Sequence, residues 1–118
     1  MSGVFEIKQA TNGQFCFTLK APNGEMLLTS EMYATKAGAH YGIASVMTNA
    51  LLDHRFERHT SNSGAPYFVL TATNGESLAR SDLYDSPTAM EHAVESVQRQ
   101  ALEARVDDLT NLANKTWQ

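Results

Sequence analysis

The chain is nearly free of cysteine: Cys16 is the only one in 118 residues. No internal disulfide can form, and an unpaired thiol fits a reducing cytoplasm better than a secreted protein. No run of apolar residues approaches the roughly 20 that a membrane-spanning helix needs. The start, Met1-Ser2-Gly3-Val4-Phe5-Glu6, has no basic segment leading into an apolar one, so the expected address is the cytoplasm, without membrane contact. Basic residues are also scarce, 9 against 13 acidic for a net charge of −4. Up to residue 51, Lys8, Lys20 and Lys36 balance Glu6, Glu25 and Glu31, so the acidic excess lies in the C-terminal half. No face gathers the Lys and Arg that neutralise phosphates, which argues against a nucleic-acid partner.

What remains is an ordinary globular composition, 42% apolar and 19% charged. It predicts one soluble domain over residues 1–118, large enough to bury about two thirds of its unfolded surface without a metal, cofactor or disulfide.

The main signal is internal. With an offset of 51, residues 4–50 lie over 55–101 without gaps, and 15 of the 47 pairs are identical, against about one in sixteen from composition alone. The matches include Phe5/Phe56, Phe17/Phe68, Leu19/Leu70, Leu27/Leu78, Tyr33/Tyr84 and Asn23-Gly24-Glu25 over Asn74-Gly75-Glu76. Asn-Gly at 12–13 and again at 23–24 predicts two hairpins with type I′ turns, hence three antiparallel strands near 5–10, 15–21 and 25–30. Phe15, Phe17 and Leu19 alternate with Cys16, Thr18 and Lys20, the pattern of a sheet buried on one face. Pro66 replaces Phe15 in the second copy and predicts a strand start, a bulge or an edge.

Beyond the third strand the period changes. Ala39, Ile43, Val46 and Ala50, and again Met90, Val94, Val97 and Ala101, follow the 4, 3, 4 spacing of an apolar helix stripe. Thr35 and Ser86 are the predicted N-caps, with Pro87 at the first helical position. Gly42, in mid-helix, predicts close packing of helix on sheet. Each unit is then β-β-β-α and too small to stand alone, so the fold class is α+β, with two tandem units sharing one pseudo-twofold core and helices packed on an antiparallel sheet. Leu102, Val106, Leu109 and Ala113 resume a 4, 3, 4 spacing about 110° from the Met90 stripe. Within an extension over 102–118 they predict a kinked continuation of the helix, a separate extra C-terminal helix or a second apolar surface.

The run Leu19-Lys20-Ala21-Pro22-Asn23-Gly24-Glu25, then Ser30-Glu31-Met32-Tyr33-Ala34-Thr35-Lys36-Ala37 and Gly42-Ile43-Ala44-Ser45-Val46, resembles the repeat of the YegP-like bacterial family. The resemblance covers the chain to about Ala101. The second copy departs from the pattern at Pro66, at Pro87 in place of Lys and at Ala93 in place of Gly. The resemblance implies the same tandem β-β-β-α fold, in a family of unassigned biochemical role that offers no catalytic residues to carry over. It also implies that single-unit members pair as dimers, so that this duplication fuses such a pair.

Candidates for chemistry are few. His40, His54, His59 and His92 show no metal-ligand spacing, and Cys16 lies on the strand face opposite Phe15 and Phe17, with no sharp turn or helix start nearby to activate the thiol. There is no Gly-x-Ser-x-Gly, Walker or dinucleotide-binding pattern. Tyr33 and Tyr84 recur before each helix, where aromatics pack a helix start on a sheet. Glu91, Glu95, Arg99 and Glu103 step by four along one helix ridge, with Arg99 placed to pair with both flanking carboxylates. That ridge is the candidate surface for a basic protein partner. His59, Arg80 and His92 are the candidates for lining a cleft between the repeats. The favoured function is a non-catalytic interaction or regulatory module, acting as a monomer or homodimer. Small-molecule binding or catalysis in the cleft comes second, and single-stranded nucleic-acid binding on the open sheet face third.

Overall fold

The computed structural model describes residues 2–110. Its elements run β1 (Val4–Gln9), β2 (Phe15–Lys20), β3 (Met26–Ser30) and α1 (Lys36–Asn49), then a 3-10 turn at Asp53–Arg55. The second series is β4 (Phe56–Thr60), β5 (Pro66–Thr71), β6 (Ser77–Arg80) and α2 (Pro87–Glu103), closed by β7 (Arg105–Asp108). All seven strands form one sheet in the order β4-β5-β6-β3-β2-β1-β7.

The hairpins are made differently from the expected type I′ turns. Ala10 N donates to Gln14 O at 2.8 Å and Gly13 N to Ala10 O at 3.0 Å, a three-residue loop in which a type I turn ends in a glycine bulge. Among the described residues, positive φ falls only on Gly13, Gly24, Gly64 and Gly75, and on no other residue type. The asparagines act through their side chains: Asn12, Asn23 and Asn74 Oδ1 accept from the backbone N of Gln14, Glu25 and Glu76 at 2.9, 2.9 and 3.0 Å. This is why asparagine precedes glycine without needing positive φ itself.

A bulge recurs in each copy. Leu19 pairs with Leu28 but Lys20 with Met26, leaving Leu27 as an extra residue; Leu70 pairs with Ala79 and Thr71 with Ser77, leaving Leu78. The extra residue breaks period-two alternation, so that adjacent Leu27 and Leu28 are both fully buried.

The copies join along β3 and β6, where Thr29 pairs with Arg80. These positions are themselves related by the offset of 51, so the pseudo-twofold axis passes through this pair. Each helix reaches over the seam, α1 onto β2, β5 and β6 and α2 onto β3 and β5. Both predicted helix stripes are buried in one continuous core with Phe5, Phe17, Leu19, Phe56, Phe68 and Leu70. Thr35 and Ser86 cap their helices, accepting from Gly38 N and Ala89 N. Gly42 packs as expected: a Cβ there would sit 2.7 Å from Tyr33 Cζ and 2.9 Å from Phe17 Cε2.

The C-terminal expectation needs correction. Ala104 is extended, and Arg105–Asp108 forms a strand parallel to β1 instead of continuing a helix through Val106. The sheet is therefore mixed rather than wholly antiparallel. The outward backbone groups of β1 would be bare without this strand, which satisfies them, and Asp108 receives Lys36 Nζ at 3.0 Å. Leu109 and Thr110 turn helical; the remainder of the predicted helix, including Ala113, lies outside the described residues.

Candidate functional site

The helices cover one sheet face. Strand register puts Glu57 and His59 of β4, Tyr67 and Val69 of β5, Arg80 of β6, Thr29 of β3, and Cys16, Thr18 and Lys20 of β2 on the other. Within the second copy this open face has a groove of about 510 Å³, walled by the β4–β5 turn at Thr60, Ser61 and Asn62 and by Ser81, Asp82 and Leu83 after β6. Tyr67 and Arg80 also line it. Beside it, His59 stacks on Tyr67 with centroids 5.4 Å apart, and its Nε2 lies 3.2 Å from Glu57 Oε1. Arg80 has no acidic partner among the described residues. Ser81 is structural: its Oγ accepts from Phe68 N at 3.0 Å and donates to Asp82 O at 2.8 Å. Ser30 repeats the arrangement, accepting from Phe17 N at 2.8 Å and donating to Glu31 O at 2.8 Å.

Of the three cleft candidates, His59 and Arg80 lie on the open face, while His92 is an exposed residue of α2 on the helix side. The seam between copies is a strand pairing roofed by both helices, and the groove belongs to the second copy alone. Among the described residues, no three of His, Cys, Asp and Glu gather as metal ligands.

The acidic ridge is exposed but does not pair as its spacing suggested. Arg99 makes one side-chain hydrogen bond, to Ser96 Oγ at 3.4 Å, and bridges neither Glu95 nor Glu103. With Gln98 and Leu102 these three line a shallow groove of about 560 Å³. Glu91 is committed elsewhere. Arg58 Nε donates to Glu91 Oε2 at 2.9 Å and Nη2 to Oε1 at 3.0 Å, and Nη2 also reaches Asp53 Oδ1 at 3.0 Å. These hydrogen bonds raise the Arg58 pKa further and hold the Glu91 carboxyl below its ordinary value. The repeat alignment already carried a signal for this cluster, since Arg58 stands where the first copy has the buried Ile7.

Tyr33 and Tyr84 are packing residues, stacked on Phe17 and Phe68 at 6.1 and 6.4 Å. The Tyr84 hydroxyl is buried without a hydrogen-bond partner; burial first, then Glu25 and Asp82, push it up to about 12. Asn23, Gly24, Glu25, Asn74, Gly75 and Glu76 build turns.

A duplicated α+β sheet with one helix per copy, sharing a core across a strand seam, is the class that this geometry defines. The model of a domain of unknown function, DUF1508, matches it twice, at residues 10–57 and 61–108. Among curated relatives, the UPF0339 protein YegP of Yersinia pestis is 46% identical over 108 residues, 92% of this chain and 96% of that one. A UPF0339 protein of Bordetella pertussis is 47% identical over 93% of this chain and 98% of its own. Solution NMR structures of a UPF0339 protein from Shewanella oneidensis and of YegP from E. coli superpose with a TM-score of 0.87 each, at 39% identity over 92% of this chain and 92% and 93% of theirs. The chain belongs to this uncharacterised YegP-like family of UPF0339 proteins. Each matched unit ends on strand residues, Phe56 and Glu57 of β4 in the first and Asp107 and Asp108 of β7 in the second.

Proposed function

We propose that the protein is a small cytoplasmic interaction module without catalytic activity. One observation carries this reading: the buried polar side chains that recur in both copies are spent on the fold. Ser30 and Ser81 bond strand backbone, and the half-buried rings of Tyr33 and Tyr84 stack on Phe17 and Phe68 against the core. The groups of the candidate surfaces differ between copies, Glu95, Arg99 and Arg80 standing where the first copy has Ala44, Thr48 and Thr29. Among the described residues, no helix is long and apolar enough to cross a membrane.

The exposed ridge of Glu95 and Glu103 on α2 is the surface assigned to a basic protein partner. Glu91 is excluded from the test because its reversal would break the Arg58 clamp. The test is affinity capture from the source cell after nuclease treatment, washed at low and high salt, with wild type beside a Glu95→Lys, Glu103→Lys variant. A partner held by wild type and lost by the variant supports the reading; equal retention by both removes the ridge from it.

A second reading, small-molecule binding, is favoured by the unpaired Arg80 beside the Tyr67 ring in the open-face groove. Arg80→Gln that leaves binding of a screened ligand unchanged would discard it, and a salt-dependent shift with oligonucleotides would move the reading to nucleic acid.

A further inference from the structure

The two sheet edges are unequal. On the β1 side, β7 pairs in parallel with Val4 to Ile7, and Ile7 is fully buried. On the β4 side no strand follows among the described residues. Ser61 N donates to Ala65 O, so the alternation of an antiparallel ladder turns the backbone of His59 and Glu57 toward β5. The backbone groups of Phe56, Arg58 and Thr60 then face outward. One side chain blocks them: Arg58 Nη1 donates to the outward Phe56 carbonyl at 3.1 Å while Asp53 and Glu91 anchor the same guanidinium.

We propose that β4 is a strand-docking edge for a second copy of this chain and that Arg58 holds it shut. The occupant follows from charge. An antiparallel pairing of two β4 strands centred on residue 58 places Glu57 of each opposite His59 of the other on the open face, an isologous and self-complementary arrangement. Its only unfavourable pair is Arg58 against Arg58, like charges directly opposed on the helix face. Arg58 therefore guards the edge twice, by occupying the Phe56 carbonyl and by repelling its own copy. Ile7, its counterpart, needs no such function because β7 already covers that edge.

Sedimentation equilibrium of folded variants at matched concentrations tests this. Wild type is expected at the single-chain mass of 13.0 kDa, and Arg58→Ala at twice that mass. Arg58→Pro removes the guard together with the outward N–H, so it should stay monomeric. Adding His59→Glu to Arg58→Ala should return the chain to monomer by opposing Glu57 with a second carboxylate. If alanine at this edge impairs folding, Arg58→Thr, a better strand former, replaces it. A monomeric Arg58→Ala and Arg58→Thr, a dimeric wild type, or an Arg58→Pro that dimerises as Arg58→Ala does would each overturn the proposal.

Discussion

The two copies face the same packing problem in different surroundings, and they differ where those surroundings differ. In the first, Gly42 lets Tyr33 and Phe17 press against the helix backbone, and β1 lies inside the sheet under β7. In the second, Ala93 takes the glycine's place, and β4 is an edge where Arg58 replaces Ile7. Phe15 exchanges two backbone hydrogen bonds with Tyr33, whereas Pro66 only accepts from Tyr84 N, because proline has no N–H to donate. Identity survives where a backbone group or a core volume leaves no alternative. A position changes freely once its neighbours change.

Five measurements break or sharpen the comparison. Phe17→Ala and Phe68→Ala each remove a fully buried ring and should cost about 3–5 kcal/mol. Because the core is shared, each should lower one common urea transition; two separated transitions would mean that the halves unfold independently. Ser30→Ala and Ser81→Ala strand the buried N–H of Phe17 and Phe68, with equal losses of about 1–3 kcal/mol in thermal or urea unfolding.

Gly42→Ala should destabilise by about 1–2 kcal/mol, since overpacking against Tyr33 and Phe17 outweighs the better helix propensity. Ala93→Gly should cost about 1–2 kcal/mol, from helix propensity and from the loss of a buried methyl. Thr18 carries a buried hydroxyl with no hydrogen-bond partner where the second copy has Val69. Thr18→Val should therefore gain about 1 kcal/mol, read as a rise in Tm.

The smallest effect is acid sensitivity at the two edges. Hydrogen bonds from Arg58 hold Glu91 below its ordinary 4.5, and those from Thr110 and Lys36, overcoming burial, hold Asp108 below its ordinary 3.8. A carboxyl with a lower pKa in the folded state stabilises the fold above its unfolded value, and that contribution is lost as pH falls through the folded one. Urea midpoints should thus decline below pH 4.5, the Glu91 share vanishing in Glu91→Gln and the Asp108 share in Asp108→Asn.

Much of the fold was legible because periodicity and caps are local. The stripes of Ala39 to Ala50 and Met90 to Ala101, the caps Thr35 and Ser86, and the strand start at Pro66 all stand where their spacing put them. The turn type was misread because Asn-Gly serves two geometries, and only the backbone decides whether asparagine needs positive φ or contributes its side chain. The site was harder to see: His92 and Arg80 are on opposite sides of the sheet, and Glu91 is bound by a residue 33 positions away.

By itself the sequence determined a duplicated β-β-β-α unit, its apolar faces and its helix starts, since hydrophobic period and capping act over a few residues. The tertiary structure decided that β3 meets β6 at Thr29 and Arg80, that each helix covers its neighbour's strands, and that Val106 lies in a strand. A helical spacing in the last segment lost to the unpaired backbone of β1, because open strand groups take whatever chain can reach them. That competition is between distant segments, and no local pattern records its outcome.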